Sequence, residues 1–211
     1  MIDFKETYYA VRCEGVLKEY TYLSYNEFLK KYNESHRYFH TINHLEYIFN
    51  YLTRENPWFI NDIIVLTIIF HDIVYYPHLT NNEKRSVKFF NSVYKYSADK
   101  TVKEEVITCI LDTKDRKNIT DYCKIFNEAD ISILYDDYKL NLLEYERNIR
   151  KEYSFLEFNE YKKNRIKILE SLMDEHNKNN IDFLIEQIET NQYLYDDIDD
   201  DKDVITIDNI L

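Results

Sequence analysis

Ile63-Ile64-Val65-Leu66-Thr67-Ile68-Ile69-Phe70-His71-Asp72 is the most apolar run of the chain, and it ends on two groups able to bind a proton or a cation. A segment that is apolar nearly all round predicts a helix buried at the centre of the fold. Pro57 after Asn56 suits a first helical turn, so this helix is expected to run from Pro57 through Ile73. The apolar part, Ile63 to Phe70, is far too short to span a bilayer, and no membrane partner is expected.

Outward from this run the helical period continues. Upstream, Ile42, Leu45, Ile48, Phe49 and Leu52 recur at helical spacing. Downstream, Thr80-Asn81-Asn82-Glu83 has the form of a capping box and predicts a helix through about Tyr94. Further helices are expected over Asp99–Thr113, Asp121–Leu134, Asp137–Tyr153, Phe158–His176 and Ile181–Leu194. No segment shows a period-2 strand. The expected fold is all-α, a single domain over residues 1–194 followed by an acidic tail, residues 195–211, that is solvated and mobile.

Composition narrows the function. Among 211 residues there is one Gly, Gly15, and there are two Pro, Pro57 and Pro77. Glycine-rich phosphate loops are thereby excluded, and the tight turns of sandwiches and barrels are disfavoured. The chain carries 27 Lys+Arg against 39 Asp+Glu, a net charge of −12, with no basic face for a nucleic-acid polymer. Cys13, Cys109 and Cys123 are odd in number and lack metal-type spacing, so reduced thiols are expected. Asp3, Lys5 and Glu6 precede any apolar run, which is unlike a signal peptide, and a cytoplasmic protein is the expectation. An aromatic content of 16% leaves room for an apolar homodimer face.

An ionised Asp at the end of a buried helix is costly unless it is paired or holds a metal. His71 and Asp72 therefore need an explanation, and two further helices offer one. His36, His40 and His44 are spaced four apart and would share one face of a continuous helix, with His44 on the side of Ile48. Asp130 lies between Phe126 and Ile133 on an apolar face. Two imidazoles and two carboxylates suit a mixed N/O site for Mn²⁺, Co²⁺, Mg²⁺, Fe²⁺ or Zn²⁺.

The order His44, then His71-Asp72, then Asp130 resembles the H…HD…D pattern of the HD-domain metal-dependent phosphohydrolases. The likeness is to a branch of about 200 residues in length, uncharacterised in function. It is carried by His36-Arg37-Tyr38-Phe39-His40-Thr41-Ile42-Asn43-His44, by Phe70-His71-Asp72-Ile73-Val74-Tyr75 and by Asn82-Glu83-Lys84-Arg85-Ser86. Two later blocks, Glu128–Leu134 and Tyr145–Tyr153, extend it, so that it spans about Tyr32 to Met173. The resemblance implies an all-helical HD-type bundle. It further implies that His44, His71, Asp72 and Asp130 hold a divalent metal, and that the substrate is a small phosphorylated molecule such as a nucleotide. One departure stands out: the stretch Ile110-Leu111-Asp112-Thr113-Lys114-Asp115-Arg116 lacks the His that related chains carry there, and Asp115 or Arg116 is the candidate replacement.

In this reading the metal activates water for attack on phosphorus, with Asp72 also orienting that water. Arg37 and Arg85 are candidate phosphate clamps, because guanidinium pairs phosphate bidentately; structural ion pairs are the alternative. Glu83 is a general acid or base, or else closes the capping box with Thr80. His40 supports a ligand or touches phosphate. The expected function is hydrolysis of a phosphate ester or anhydride of a nucleotide or related small molecule. The alternative is an HD-fold regulatory module that binds nucleotide or metal and turns over little.

Overall fold

A computed structural model describes residues 8–190 together with Tyr195. Its helices are α1 (Tyr8–Tyr20), α2 (Tyr25–Tyr32), α3 (Ile42–Glu55), α4 (Asp62–Phe70), α5 (Asn82–Val93), α6 (Lys100–Asp112), α7 (Asp121–Asp130), α8 (Lys139–Glu152), α9 (Phe158–Ser171) and α10 (Lys178–Thr190). No strand occurs among the described residues; Thr21 and Tyr94 form only an isolated antiparallel bridge. The all-α expectation holds. None of these helices is long and apolar enough to cross a membrane.

The apolar run forms α4, which is shorter than expected. Pro57–Phe59 makes a separate 3-10 turn, and Asn61 caps the helix with its side-chain oxygen, which accepts the Ile64 N–H at 3.1 Å. An Asn that satisfies one of the orphan N–H groups outcompetes a Pro that merely tolerates the first turn. Every residue from Ile64 to Phe70 is buried, and α4 is flanked by α1, α3, α5, α6 and α7. At about 1.5–3 kcal/mol for each fully buried large apolar side chain, this helix is the main hydrophobic anchor of its surroundings.

The described helices fall into two compact units, one up to Ser132 and one from Ile133 onward. The single domain expected over 1–194 includes both. In the first unit α4 is central. In the second, α10 packs against α8 and α9 around a buried polar group. There Glu146 accepts Arg165 Nε–H at 2.8 Å, and its other oxygen accepts the Tyr161 hydroxyl and, at 3.4 Å, that of Tyr195. Arg150, also fully buried, donates to the Tyr153 and Leu156 carbonyls at 2.7 and 3.1 Å and so closes the C-terminus of α8.

Several expectations need correction. His36, His40 and His44 do not share a helical face, because α3 begins only at Ile42 and residues 33–41 form turns and bends. The Thr80–Glu83 capping box is not made: α5 starts at Asn82, and Asn81 at its cap makes no side-chain capping bond. Asn82 is held instead by the preceding loop, donating to Tyr76 and Leu79 carbonyls and accepting the Tyr76 N–H, which shifts the helix start. The helices expected to reach Leu134 and His176 stop at Asp130 and Ser171. The last helix begins at Lys178 rather than Ile181 and is described to Thr190; its expected end at Leu194 lies outside the described residues. Of the proposed acidic tail, Tyr195 is fully buried, and the rest lies outside the described residues.

Candidate metal centre

His71 caps the C-terminus of α4, its backbone N–H bonded to Thr67 O at 2.9 Å. Its ring Nδ1 lies 3.1 Å from Ile68 O. A carbonyl only accepts, so Nδ1 carries the hydrogen, and Nε2 is the atom turned to its carboxylate neighbours. There it stands 3.2 Å from Asp72 Oδ2 and 3.5 Å from Asp130 Oδ1. His44, in the first turn of α3 and beside the core residues Leu45 and Ile48, brings its own Nε2 to 3.2 Å from Asp130 Oδ1. The imidazoles of His44 and His71 sit 5.6 Å apart, with Phe126 packed 5.1 Å from His71. Four side chains from α3, the end of α4 and the end of α7 thus converge.

Despite these approaches, the buried Nε2 atoms of both His44 and His71 lack a hydrogen bond of acceptable geometry. Buried polar atoms are rarely left so, and two that face one pair of carboxylates form a group able to take up a cation. One ligand atom from each of His44, His71 and Asp72 lies within 4.8 Å of the others. Donors about 2.1 Å from one ion in a tetrahedral or trigonal set are about 3.5 Å apart. The Asp130 Oδ1 approaches to His44 and His71, at 3.2 and 3.5 Å, already match that spacing. The residues fit a divalent metal.

Electrostatics agree. Burial by itself would raise the Asp130 carboxyl, but Arg116, His44 and His71 outweigh it and hold the pKa well below the usual range. Asp72 is also lowered, burial being outweighed by His71 and His40. Burial lowers His44, only partly offset by Asp130, so that imidazole is favoured neutral. At His71 burial is overcome by Asp72 and Asp130, and the net direction is upward: the carboxylates draw positive charge to this nitrogen. The imidazoles are closed from solvent, at 3% and 2% side-chain exposure, whereas Asp72 is 19% exposed, so the cluster is reached from its carboxylate side.

His40 lies beside this group, its Nε2 3.8 Å from Asp72 Oδ2 and its ring stacked on Tyr75 at 4.1 Å. His36 does not join: its Nε2 is 2.7 Å from Tyr75 O and its ring stacks on Tyr76. Arg37 is spent on the fold. Its fully buried guanidinium donates to Glu34, to His40 O at 3.0 Å and to Ile73 O at 3.4 Å, tying the turn before α3 to the chain after α4. Arg85 is exposed, with Nε bonded to Asn81. Glu83 Oε2 is buried without a hydrogen bond and lies 3.5 Å from Lys114 Nζ.

The group that sequence reasoning left open is Arg116. Its Nη2 donates to Asp130 Oδ2 at 2.5 Å and its Nη1 to Asn127 O at 3.1 Å. Asp115 instead faces outward beside Lys117. Arg116 and Asn118 both adopt positive φ, 49° and 56°, a backbone region that costs about 1–2 kcal/mol per residue. Buried Asp112 holds this turn: its carboxylate accepts the Lys117 and Asn118 N–H groups at 3.2 and 2.9 Å and Asn127 Nδ2 at 2.7 Å. Asn82 and Ser86 do a similar service for the loop after Asp72, Ser86 Oγ bonding both N and O of Val74 at 3.2 Å. The signal for Asp112 was an acidic residue amid an apolar helix end.

Comparison with protein-family models, with curated proteins and with solved structures finds no match to this chain.

Proposed function

We propose that the chain is a metal-dependent phosphohydrolase of the HD type, holding a divalent ion on His44, His71, Asp72 and Asp130. Its substrate class is a phosphate ester or anhydride of a nucleotide or related small molecule. The observation that carries the reading is the pair of buried, unbonded Nε2 atoms of His44 and His71 facing Asp72 and Asp130. The ordered sequence resemblance supplies the reaction class. When bound, the ion supplies Lewis acidity toward a phosphate oxygen and toward water.

The residues around it supply position and proton handling. Asp72, partly open to solvent, would orient the attacking water, and His40 stands beside it with Nε2 3.8 Å from its Oδ2. Arg116 fixes one oxygen of Asp130 and leaves the other for the ion. Glu83, paired with Lys114 at 3.5 Å, is the candidate general acid or base.

The test is release of phosphate or pyrophosphate from a nucleotide panel with Mn²⁺, Co²⁺ or Mg²⁺, comparing the unaltered chain with Asp72→Ala. Release that requires added metal and is lost in the variant supports the hydrolase. The internal commitment of Arg37 and the exposed setting of Arg85 favour a second reading, a metal- or nucleotide-binding module with little turnover. Binding of metal with no release from any substrate would select it.

A further inference from the structure

A second cluster of reactive side chains lies on α6 and α7, built from Glu105, Cys109, Thr120 and Cys123. Cys109 Sγ and Cys123 Sγ are 2.9 Å apart, closer than ordinary contact between two sulfurs, and both residues are fully buried. Thr120 Oγ1 donates to Glu105 and stands 3.1 Å from Cys123 Sγ, and Glu105 Oε1 is 4.0 Å from Cys109 Sγ. Glu105 and the two cysteines also have the donor types of a soft-metal site. Two thiolates on a tetrahedral zinc, with bonds of about 2.3 Å, would be held about 3.8 Å apart, wider than this pair. The Glu105 carboxylate is already served by the Thr120 hydroxyl, unlike the unbonded imidazoles of His44 and His71. The arrangement favours a bond between the sulfurs over an ion between them.

We infer that Cys109 and Cys123 form an oxidative modification site, closing to an intramolecular disulfide that ties α6 to the N-terminal turn of α7. The inference does not depend on the proposed hydrolase activity. The oxidant is a peroxide, small enough to reach a buried pair during local opening. One thiolate attacks a peroxide oxygen and the O–O bond breaks, leaving a sulfenic acid and hydroxide. The second sulfur then attacks the sulfenic sulfur, the S–O bond breaks, the S–S bond forms and water leaves. Two thiols and one hydrogen peroxide give one disulfide and two waters. Burial, then Cys123 and Glu105, push the Cys109 thiol well up, so the reaction is slower than that of an exposed thiol. Because α7 ends at Asp130, the product braces the helix that carries one of the candidate metal ligands.

Cys13 is an internal control: it is buried on α1, beside Tyr9 and Arg12, with no cysteine neighbour among the described residues. The experiment treats the full chain with hydrogen peroxide, quenches, alkylates under denaturing conditions and maps the peptides by mass. The expected result is loss of two hydrogen atoms, a Cys109–Cys123 linked peptide, alkylation of Cys13 alone, and reversal by dithiothreitol. Cys109→Ser and Cys123→Ser each abolish the linked peptide, while Cys13→Ser keeps it. Alkylation of all three cysteines after treatment, oxygen addition to Cys109 or Cys123 without linkage, or pairing with Cys13 or between chains would overturn the proposal. The map of the unaltered chain decides even where a variant fails to fold.

Discussion

Arg116 and Asp130 share a hydrogen bond of 2.5 Å that occupies Oδ2 and leaves Oδ1 facing His44 and His71 at 3.2 and 3.5 Å. The guanidinium therefore sets which carboxylate oxygen is offered to a cation. Removing such an outer partner typically lowers metal affinity about 10–100-fold. Arg116→Ala is expected to weaken Mn²⁺ binding by that order in a calorimetric titration, with Arg116→Lys intermediate. Unchanged affinity in Arg116→Ala would show that Asp130 orients itself.

The turn that presents Arg116 is paid for by Asp112, whose carboxylate takes two backbone N–H groups and the Asn127 amide. Asp112→Ala strands these donors around two residues at positive φ. A loss of about 3 kcal/mol in unfolding free energy is expected from urea denaturation, together with weaker metal binding. A destabilised variant with intact metal affinity would separate the turn from the site.

In the second unit, Glu146 is the acceptor for Arg165 and for two tyrosine hydroxyls, all buried. Glu146→Gln leaves the Arg165 charge uncompensated, and such losses cost about 3–5 kcal/mol. The urea midpoint should fall accordingly. Glu146→Leu with Arg165→Met, which removes both charges, should recover much of it.

Alkaline pH should loosen the first unit. Burial raises Tyr25 and Tyr94 from 10.0 to about 12, with help from Cys13 at Tyr25 and Asp99 at Tyr94. Between those values the folded chain holds more protons than the unfolded one, so stability falls as pH rises. Urea midpoints measured from pH 10 to 12 should decline, in step with tyrosinate absorbance appearing on unfolding. A flat profile would mean these hydroxyls ionise without penalty.

Much of this architecture was legible in the run from Ile63 to Asp72, because a helix apolar on every side has only one place to go. The limits of α4 were not, since Asn61 and Pro57 compete locally for its start and geometry decides between them. The shared face of His36, His40 and His44 failed for a related reason: Arg37 binds carbonyls across the fold and keeps residues 33–41 out of the helix. α1 and α2 went unassigned although Ser24-Tyr25-Asn26-Glu27 is a capping box, with Glu27 Oε2 3.0 Å from the Ser24 N–H. His44, His71, Asp72 and Asp130 were singled out from burial and spacing, and the folded chain brings these four together. Arg116 and Asp112 were harder to single out, because their role depends on a positive-φ turn that the amino-acid types Lys114-Asp115-Arg116-Lys117-Asn118 only weakly suggest.

The most direct measurement is calorimetric titration of the metal-free full chain with Mn²⁺, alongside His71→Ala, Asp72→Ala and Cys109→Ser. The account predicts one ion per chain, lost in His71→Ala and Asp72→Ala and retained in Cys109→Ser. Absence of binding by the folded chain, or binding that survives both site variants, would contradict the assignment of His44, His71, Asp72 and Asp130 as a metal centre.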